Sequence, residues 1–286
     1  MYSLGWFTTA KGQGSRNLLS AVQDRIVHGE IDAKIEFIFL SREPGESPET
    51  DKFIELVKSY GIPLVSYSLK KYRNQLSVHP DLSRAEPRGP VEGQDEKQLP
   101  QWRLDYDREI NKRLSVFPHP QLCVMAGYML VIGPELCAQF DIINLHPAAP
   151  DGPAGTWQEV IWKLIDQRAE ASGAMMHLVT PELDKGPVVS YCRYAIRGPS
   201  FDLLWDKIGG KTVVDIKHLD GEANPLFKEI RRHGVTRELP LIGSTVKAFS
   251  RGMVAIKKGT IVNCAGKPIK GYDLSAEIDA QVQNLP

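Results

Sequence analysis

The sequence predicts an α/β fold, a mostly parallel sheet flanked by helices, followed by a mainly helical extension at the carboxyl end. Over residues 1–200, short apolar runs typical of buried strands alternate with amphipathic helical segments, and this alternation indicates parallel βαβ units. Beyond Gly198 the pattern changes to helices and one hairpin. We therefore predict a first domain over 1–200 and an extension over 201–286.

The elements of the first domain follow from apolar periodicity and from the residues that end each run. Helix 15–28, for example, carries Leu19, Val22 and Ile26 on one face and ends at Gly29. The predicted strands are 2–8, 34–40, 64–67, 121–126, a central strand ending at His146, 173–179 and 188–195. The predicted helices are 15–28, one that carries Phe53, Val57 and Tyr60 and stops at Gly61, 104–114, 134–139, and one that a Thr156–Glu159 capping box opens.

Residues 70–101 interrupt this alternation. They are polar and dotted with proline, and they show no usable periodicity, which predicts a surface insertion. A lid over a binding site is the alternative interpretation of such a segment.

The extension is predicted to contain three helices and a hairpin. The helices cover about 202–216, 225–232 and 239–249, and the hairpin pairs 253–256 with 260–263 through a turn at Lys257-Lys258-Gly259. The final residues are expected to fray.

Composition narrows the class of protein. The 35 basic and 35 acidic residues cancel, and residues 201–286 hold 13 basic and 10 acidic residues, so the charge gives no reason to expect a nucleic acid partner. No apolar run reaches 18 residues and the amino terminus lacks a basic flank, so we expect no membrane span, no signal peptide and a cytoplasmic location. The four cysteines are widely spaced, unlike those of a zinc or redox motif.

The stretch from Phe140 to Gly155 is the strongest candidate for a functional site. Its apolar strand delivers Asn144 and His146 to the start of a Pro/Gly-rich loop. Residues two apart on a strand project to the same side, and open α/β sheets bind ligands at the carboxyl ends of their strands. The alternative is that Asn144 only ends the strand and that His146 is a satisfied core histidine.

A second candidate lies between the first strand and the first helix, where Gly12, Gln13, Gly14 and Ser15 follow Lys11. Free backbone N–H groups and the helix dipole point at the same place in such a turn, and together they bind anions. A plain tight turn is the alternative, because Gly-x-Gly alone is weak evidence and the sequence has neither the Walker loop nor the full dinucleotide motif.

A third residue, Asp184, stands in the turn between the last two strands of the domain. If it meets Asn144 and His146, the imidazole can exchange protons near neutral pH, the carboxylate can fix its tautomer, and the amide N–H can donate to an oxyanion. Together, these three groups suit acyl transfer without a covalent intermediate. A serine triad is disfavoured because no Gly-x-Ser-x-Gly is present, and a metal site is disfavoured because His146 has no second histidine at ligand spacing.

Three short motifs follow one another within the segment 126–189: Ala126-Gly127-Tyr128-Met129, Ile143-Asn144-Leu145-His146-Pro147 and Leu183-Asp184-Lys185-Gly186. In their order and spacing they resemble the folate-dependent formyltransferases, a family that includes glycinamide ribonucleotide and methionyl-tRNA formyltransferases and a formyltetrahydrofolate hydrolase. The resemblance implies a Rossmann-like formyltransferase fold. It also makes 1–200 the catalytic domain.

The resemblance implies roles for particular residues. Asn144, His146 and Asp184 would form the catalytic trio, and no metal is implied. The co-substrate would be 10-formyltetrahydrofolate. Its pterin would lie against two short stretches, and the phosphate of the acceptor would lie on a Gly-rich loop. The donor stretches are Met129, Leu130 and Val131 with Pro181, Glu182 and Leu183, and the phosphate loop is Gly12, Gln13, Gly14 and Ser15.

Within the family, the phosphate loop is similar to the glycinamide ribonucleotide branch, as are Ser41-Arg42 and Gly61-Ile62-Pro63. This branch usually has Ser-Leu-Leu-Pro where the chain has Ala148-Ala149-Pro150-Asp151. The implied partner is a small-molecule amine, most directly glycinamide ribonucleotide of purine biosynthesis, and a homodimer is left open. The alternatives are another acceptor, such as an aminosugar nucleotide or methionyl-tRNA, a hydrolase, or a non-catalytic folate-binding homologue.

Overall fold

The structure is a computed structural model that describes residues 1–76 and 99–284. Its strands are β1 (Tyr2–Thr8), β2 (Ala33–Leu40), β3 (Leu64–Ser66), β4 (Leu122–Met125), β5 (Ile142–His146), β6 (Ala171–Leu178), β7 (Val188–Ala195), β8 (Val254–Lys257), β9 (Thr260–Asn263) and β10 (Tyr272–Asp273). Its helices are α1 (Gln13–Val27), α2 (Pro48–Ser59), α3 (Leu69–Leu76), α4 (Gln101–Leu114), α5 (Pro134–Gln139), α6 (Trp157–Asp166), α7 (Asp202–Ile208), α8 (Val213–Leu219), α9 (Pro225–Ser250) and α10 (Ser275–Gln283).

The described chain divides into two compact units, and β5 crosses from one into the other. The first unit contains a sheet in the order β5-β4-β1-β2-β3. In it β1 pairs in parallel with β2 and β4, and β2 pairs in parallel with β3. Aromatic side chains fill its core, where the ring centroids of Phe7 and Phe39 are 5.6 Å apart. The unit comprises Met1–Ser20, Ala33–Ile143 and Val179–Gly186.

The second unit begins at Asn144 of β5 and continues through β6, β7 and β10 in that order. Here β6 and β7 are antiparallel, whereas β10 pairs in parallel with β7. The core of this unit joins α6 to α9, with the rings of Trp162 and Phe227 4.5 Å apart. The unit comprises Ala21–Asp32, Asn144–Leu178 and Pro187–Pro286.

These strand pairs confirm the predicted mostly parallel α/β fold. The strands 2–8 and 188–195 and the helix 134–139 have the predicted bounds. The Thr156 capping box is also present, because Thr156 Oγ1 accepts from the Glu159 N–H and the Glu159 carboxylate accepts from the Thr156 N–H. The predicted division into domains at residue 200 stays a prediction.

The segment 70–101, predicted to be a surface insertion, contains regular structure at both ends. Helix α3 occupies Leu69–Leu76, and α4 begins at Gln101 rather than at Leu104. None of the α3 residues is buried, so the helix lacks the apolar face that would have revealed its period. Residues 77–98 of the predicted insertion lie outside the described residues.

Three predictions for the extension are also wrong. The helix expected over 202–216 is broken at Gly209, whose φ of 49° is left-handed, and α8 starts afresh after a capping box of Thr212 and Asp215. The two helices expected over 225–232 and 239–249 are one helix, α9, which continues through Pro240. The final residues, which were expected to fray, are ordered up to Asn284 by β10 and α10, and residues 285–286 lie outside the described residues.

The hairpin prediction is confirmed. Strands β8 and β9 pair antiparallel, and Lys258 and Gly259 turn the chain with φ values of 50° and 74°, which is the left-handed backbone that two-residue hairpin turns need. Within residues 1–76 and 99–284, no helix combines the length and the apolar character required to cross a membrane.

Candidate active site

Three polar side chains meet where β5 faces β6. Strand β5 carries Asn144 and His146 near its carboxyl end, and β6 carries His177 one residue before its last. Asn144 Nδ2 lies 3.2 Å from His177 Nε2, and the ring centroids of His146 and His177 are 6.1 Å apart. The two histidines are only 4% and 3% exposed. Asn144 and His146 thus share one neighbour, as residues projecting to the same face of a strand should.

The partners of His177 set the orientation of the Asn144 amide. A backbone carbonyl can only accept, so the contact of 3.2 Å between His177 Nδ1 and Leu178 O places the proton on Nδ1. Nε2 of the neutral ring is then an acceptor, and Asn144 Nδ2 donates to it. The second hydrogen of Nδ2 makes no hydrogen bond to the described residues. This arrangement leaves one amide N–H directed by the fold and able to donate to a ligand oxygen.

An irregularity in β6 accompanies this placement. The pairing of β6 with β7 shifts register between Met176 and His177. Bulges of this kind occur beside active sites, where they redirect a side chain. The sequence predicts no role for His177, because its position opposite Asn144 depends on the pairing of two strands that are distant in sequence.

The loop after β5 is held by a hydrogen bond to His146. His146 Nε2 donates to Pro153 O across 3.3 Å, and Gly152 N–H donates to Ala149 O across 2.9 Å. Ala149 is 8% exposed, and a Cβ on Gly173 of β6 would lie 2.7 Å from Ala149 Cβ. A side chain at position 173 would therefore collide with Ala149, so the glycine allows the loop to lie close against β6.

Asp184 lies in the first unit, in the tight turn between β6 and β7. Its φ of 54° is left-handed, a conformation that aspartate adopts more readily than most residues. Thr180 Oγ1 donates to Glu182 O across 3.0 Å and shapes the turn. Pro181, Glu182 and Leu183 are exposed. Because Asn144 and His146 belong to the second unit, the meeting of Asp184 with them stays a prediction.

The Gly-rich loop forms the amino terminus of α1, which begins at Gln13, two residues before the predicted start. Gly12 and Gly14 do not have left-handed φ values, and a Cβ on either would have no described atom within 4 Å. The fold therefore does not require glycine at these two positions, which weakens the interpretation as a plain tight turn. No acidic residue stands in the first helical turn, so the positive end of the helix dipole is not neutralised there.

The stretch after β4 carries Met129, Leu130 and Val131. Met129 is 56% exposed, while its N–H donates to Thr9 Oγ1 across 3.0 Å. The N–H and C=O groups of Leu130 make no hydrogen bond to the described residues. The stretch therefore presents a backbone edge that can bind a polar heterocycle.

Among residues 1–76 and 99–284, no three His, Cys, Asp or Glu side chains are grouped so that they could hold a metal ion. The expectation that the reaction needs no metal stays a prediction.

The fold and the strand-end residues define a Rossmann-like α/β enzyme. Comparison with known proteins indicates which kind of enzyme this is, because residues 58–197 match the family described as formyl transferase. This match includes the three motifs described above, so the resemblance of the chain to the folate-dependent formyltransferases is confirmed.

Similar proteins agree with this assignment. A phosphoribosylglycinamide formyltransferase of Dictyostelium discoideum is 25% identical over 185 residues, which are 62% of this chain and 77% of that protein. The structure of a phosphoribosylglycinamide formyltransferase from Coxiella burnetii matches with a TM-score of 0.61 at 16% identity, over 95% of this chain and 98% of that one. A formyltetrahydrofolate deformylase from Pseudomonas putida KT2440 matches with 0.56 at 14% identity, over 92% and 69%. At these identities the two structures show a shared fold alone.

Proposed function

We propose that this enzyme transfers a formyl group from 10-formyltetrahydrofolate to the primary amine of a small phosphorylated acceptor, with glycinamide ribonucleotide as the first candidate. The observation that carries the proposal is the Asn144 amide, which His177 orients beside the buried ring of His146. This pair lies within the segment that matches the formyl transferase family. An oriented N–H donor beside a proton-exchanging imidazole suits a reaction through a tetrahedral oxyanion.

In the proposed mechanism, the acceptor nitrogen attacks the formyl carbon and forms the new C–N bond. The second N–H of Asn144 donates to the formyl oxygen as it becomes negative. The bond from that carbon to N10 of the folate then breaks, the acceptor nitrogen gives up a proton, and N10 takes one. His146 would carry this proton, and Asp184 would hold the imidazole in the required tautomer. The products are the formamide of the acceptor and tetrahydrofolate.

Replacing His177 by phenylalanine should lower kcat roughly tenfold, because the Asn144 N–H loses its acceptor and the amide is no longer held. The KM values should change little. Steady-state kinetics would measure both. His177→Gln restores an acceptor oxygen and should recover part of the lost kcat, whereas equal losses in the two variants would indicate that His177 only fills space.

The phosphate loop supplies a further argument for a phosphorylated acceptor. Glycines that the fold does not require, at a helix amino terminus without acidic residues, suit close approach of an anion to backbone N–H groups. The Arg16 side chain does not serve this purpose in the structure, since its guanidinium pairs with Glu49 at 2.7 Å.

Replacing Gly14 by aspartate should raise the KM for a phosphorylated acceptor at least about tenfold, because the new carboxylate repels the phosphate at close range. The donor KM should not change, and stability should hold or rise, since an acidic residue suits the first turn of a helix. Kinetics with each substrate varied in turn would test this. The matched control is Val214→Asp, which adds a carboxylate to the first turn of α8 at an exposed position; an equal KM change in both variants would contradict the assignment.

A donor-consumption assay tests the proposed function itself. The protein would be incubated with 10-formyltetrahydrofolate alone, then with glycinamide ribonucleotide, an aminosugar nucleotide or methionyl-tRNA. Consumption that depends on glycinamide ribonucleotide is the expected result. Consumption without any amine would establish a hydrolase, dependence on another amine would reassign the acceptor, and no consumption with any of them would indicate a non-catalytic homologue.

A further inference from the structure

The backbone from Gly127 to Gly133, which we name the donor stretch, is held at alternate residues. Thr9 of the loop after β1 holds its first half, since Thr9 N–H donates to Gly127 O across 3.0 Å and Thr9 Oγ1 accepts from Met129 N–H across 3.0 Å. Ser41 Oγ in turn donates to Thr9 Oγ1 across 3.0 Å. The first half of the donor stretch is therefore held by Thr9 and Ser41, which directly follow strands β1 and β2.

The second half is held by an ion pair on α4. Arg103 Nη2 donates to Val131 O across 2.7 Å, and Asp107 Oδ2 accepts from Gly133 N–H across 2.7 Å. The remaining oxygen of Asp107 bonds Arg103 Nη1. The two charged side chains are 2% and 1% exposed, so the pair is buried, and each of its two side chains also bonds the backbone of the donor stretch.

The close fit at Gly133 shows how specific this contact is. A Cβ on Gly133 would lie 2.7 Å from Asp107 Oδ2, well inside contact distance, although the φ of Gly133 is not left-handed. Glycine is thus needed at this position for the approach of the carboxylate and not for the turn of the chain.

Stability alone does not account for such a pair. A buried ion pair is often no more stabilising than apolar side chains of similar volume, because both charges lose their hydration. Burial raises the pKa of Asp107, and the charge of Arg103 and the Gly133 N–H oppose that rise. Apolar residues could not replace the pair in its other role. Side chains on a single turn of α4 bind the C=O of Val131 and the N–H of Gly133, which lie two residues apart in the donor stretch.

We propose that the buried Arg103–Asp107 ion pair positions the donor stretch, and that it thereby sets the affinity of the enzyme for the formyl donor. This inference rests on the proposed function. Arg103 and Asp107 are positioning residues in it, because they act on the donor through the backbone of Val131 and Gly133. The pair should affect donor binding far more than the chemical step.

The same helix offers a matched control. Arg108 pairs with Glu135 of α5 at 2.6 Å, and both side chains are about half exposed. This pair joins α4 to α5, as the buried pair joins α4 to the donor stretch, but neither of its side chains bonds the donor stretch. Exposed pairs contribute little to stability.

The test compares Arg103→Lys, Gly133→Ala and Arg108→Ala with the wild-type enzyme. Lysine cannot bridge Asp107 and Val131 O at once, so the KM for 10-formyltetrahydrofolate should rise about tenfold or more. The acceptor KM should not change, and kcat should stay within about threefold of the wild-type value. This pattern is expected when the ground state and the transition state lose the same amount of donor-binding energy. Gly133→Ala keeps both charges but displaces Asp107, and it should show the same donor KM effect. Arg108→Ala should resemble the wild type.

Hydrogen exchange of the peptide covering Met129–Gly133 supplies a readout independent of turnover. Exchange should be faster in Arg103→Lys and Gly133→Ala and unchanged in Arg108→Ala. A wild-type donor KM in both variants, or an equal loss from Arg108→Ala, would overturn the inference while leaving the proposed function in place. A wild-type enzyme that consumed no donor would overturn the proposed function, and the inference with it. If Arg103→Lys did not fold, Gly133→Ala would decide the question.

Discussion

Formyl transfer by the Asn144→Ala variant is expected to be roughly 100-fold to 1000-fold slower than by the wild-type enzyme, the usual cost of removing one oxyanion donor. The physical reason is the shared Nδ2 group, which gives one hydrogen to His177 Nε2 and leaves the other for the formyl oxygen. Steady-state consumption of the donor would give kcat and kcat/KM. Thermal unfolding should change little, because Asn144 is partly exposed.

Two further variants sharpen this test. Asn144→Asp keeps the shape of the side chain but removes both N–H donors and adds a negative charge where the oxyanion forms, so it should be at least as slow as the alanine variant. Asn111→Ala removes an amide on α4 that has no part in the proposed site, and it should retain full activity. Near-normal turnover by Asn144→Ala would show that another group stabilises the oxyanion.

For His146→Ala, we expect a loss of roughly 100-fold to 10,000-fold in kcat, the usual contribution of proton transfer by a positioned side chain. The loss should persist at saturating concentrations of both substrates, since the proton is moved after binding. The variant also frees Pro153 O from its bond with Nε2, so the loop after β5 could shift. His146→Gln keeps an N–H donor for Pro153 and separates the two effects.

The control for this prediction is His218→Ala, which removes an exposed histidine of α8. It should leave kcat and stability unchanged. Recovery of most of the activity in His146→Gln would mean that His146 acts by holding the loop, and it would remove the proton transfer role that we propose for the imidazole.

The sequence predicted well those elements whose signals are local. The capping box of Thr156 and the turn at Lys258 and Gly259 depend on residues within a few positions of one another, and both are present as predicted. The motifs around Asn144 and Asp184 also indicated the family, because their order and spacing can be read from the sequence without knowing which residues are in contact.

Two of the differences from prediction have their physical origin in tertiary packing. Proline normally interrupts a helix because it lacks an N–H, yet α9 continues through Pro240, and the residues from Leu241 to Val246 are buried. Packing of this buried segment outweighs the one missing hydrogen bond. The role of His177 was not predicted for a related reason: its partner Asn144 is 33 positions away on another strand, and their contact depends on how the strands pair.

The ends of the two sheet segments bear on how copies of this protein can meet. The first unit's sheet ends in β3, which has three residues, and the second unit's sheet ends in β10, which has two. An outermost strand with unpaired backbone groups is a template for joining the sheet of another molecule, and natural proteins suppress this by keeping such strands very short. Both outer strands here offer too few free groups for that kind of fusion. The homodimer that the family resemblance leaves open is therefore not expected to form through either of these two described edges.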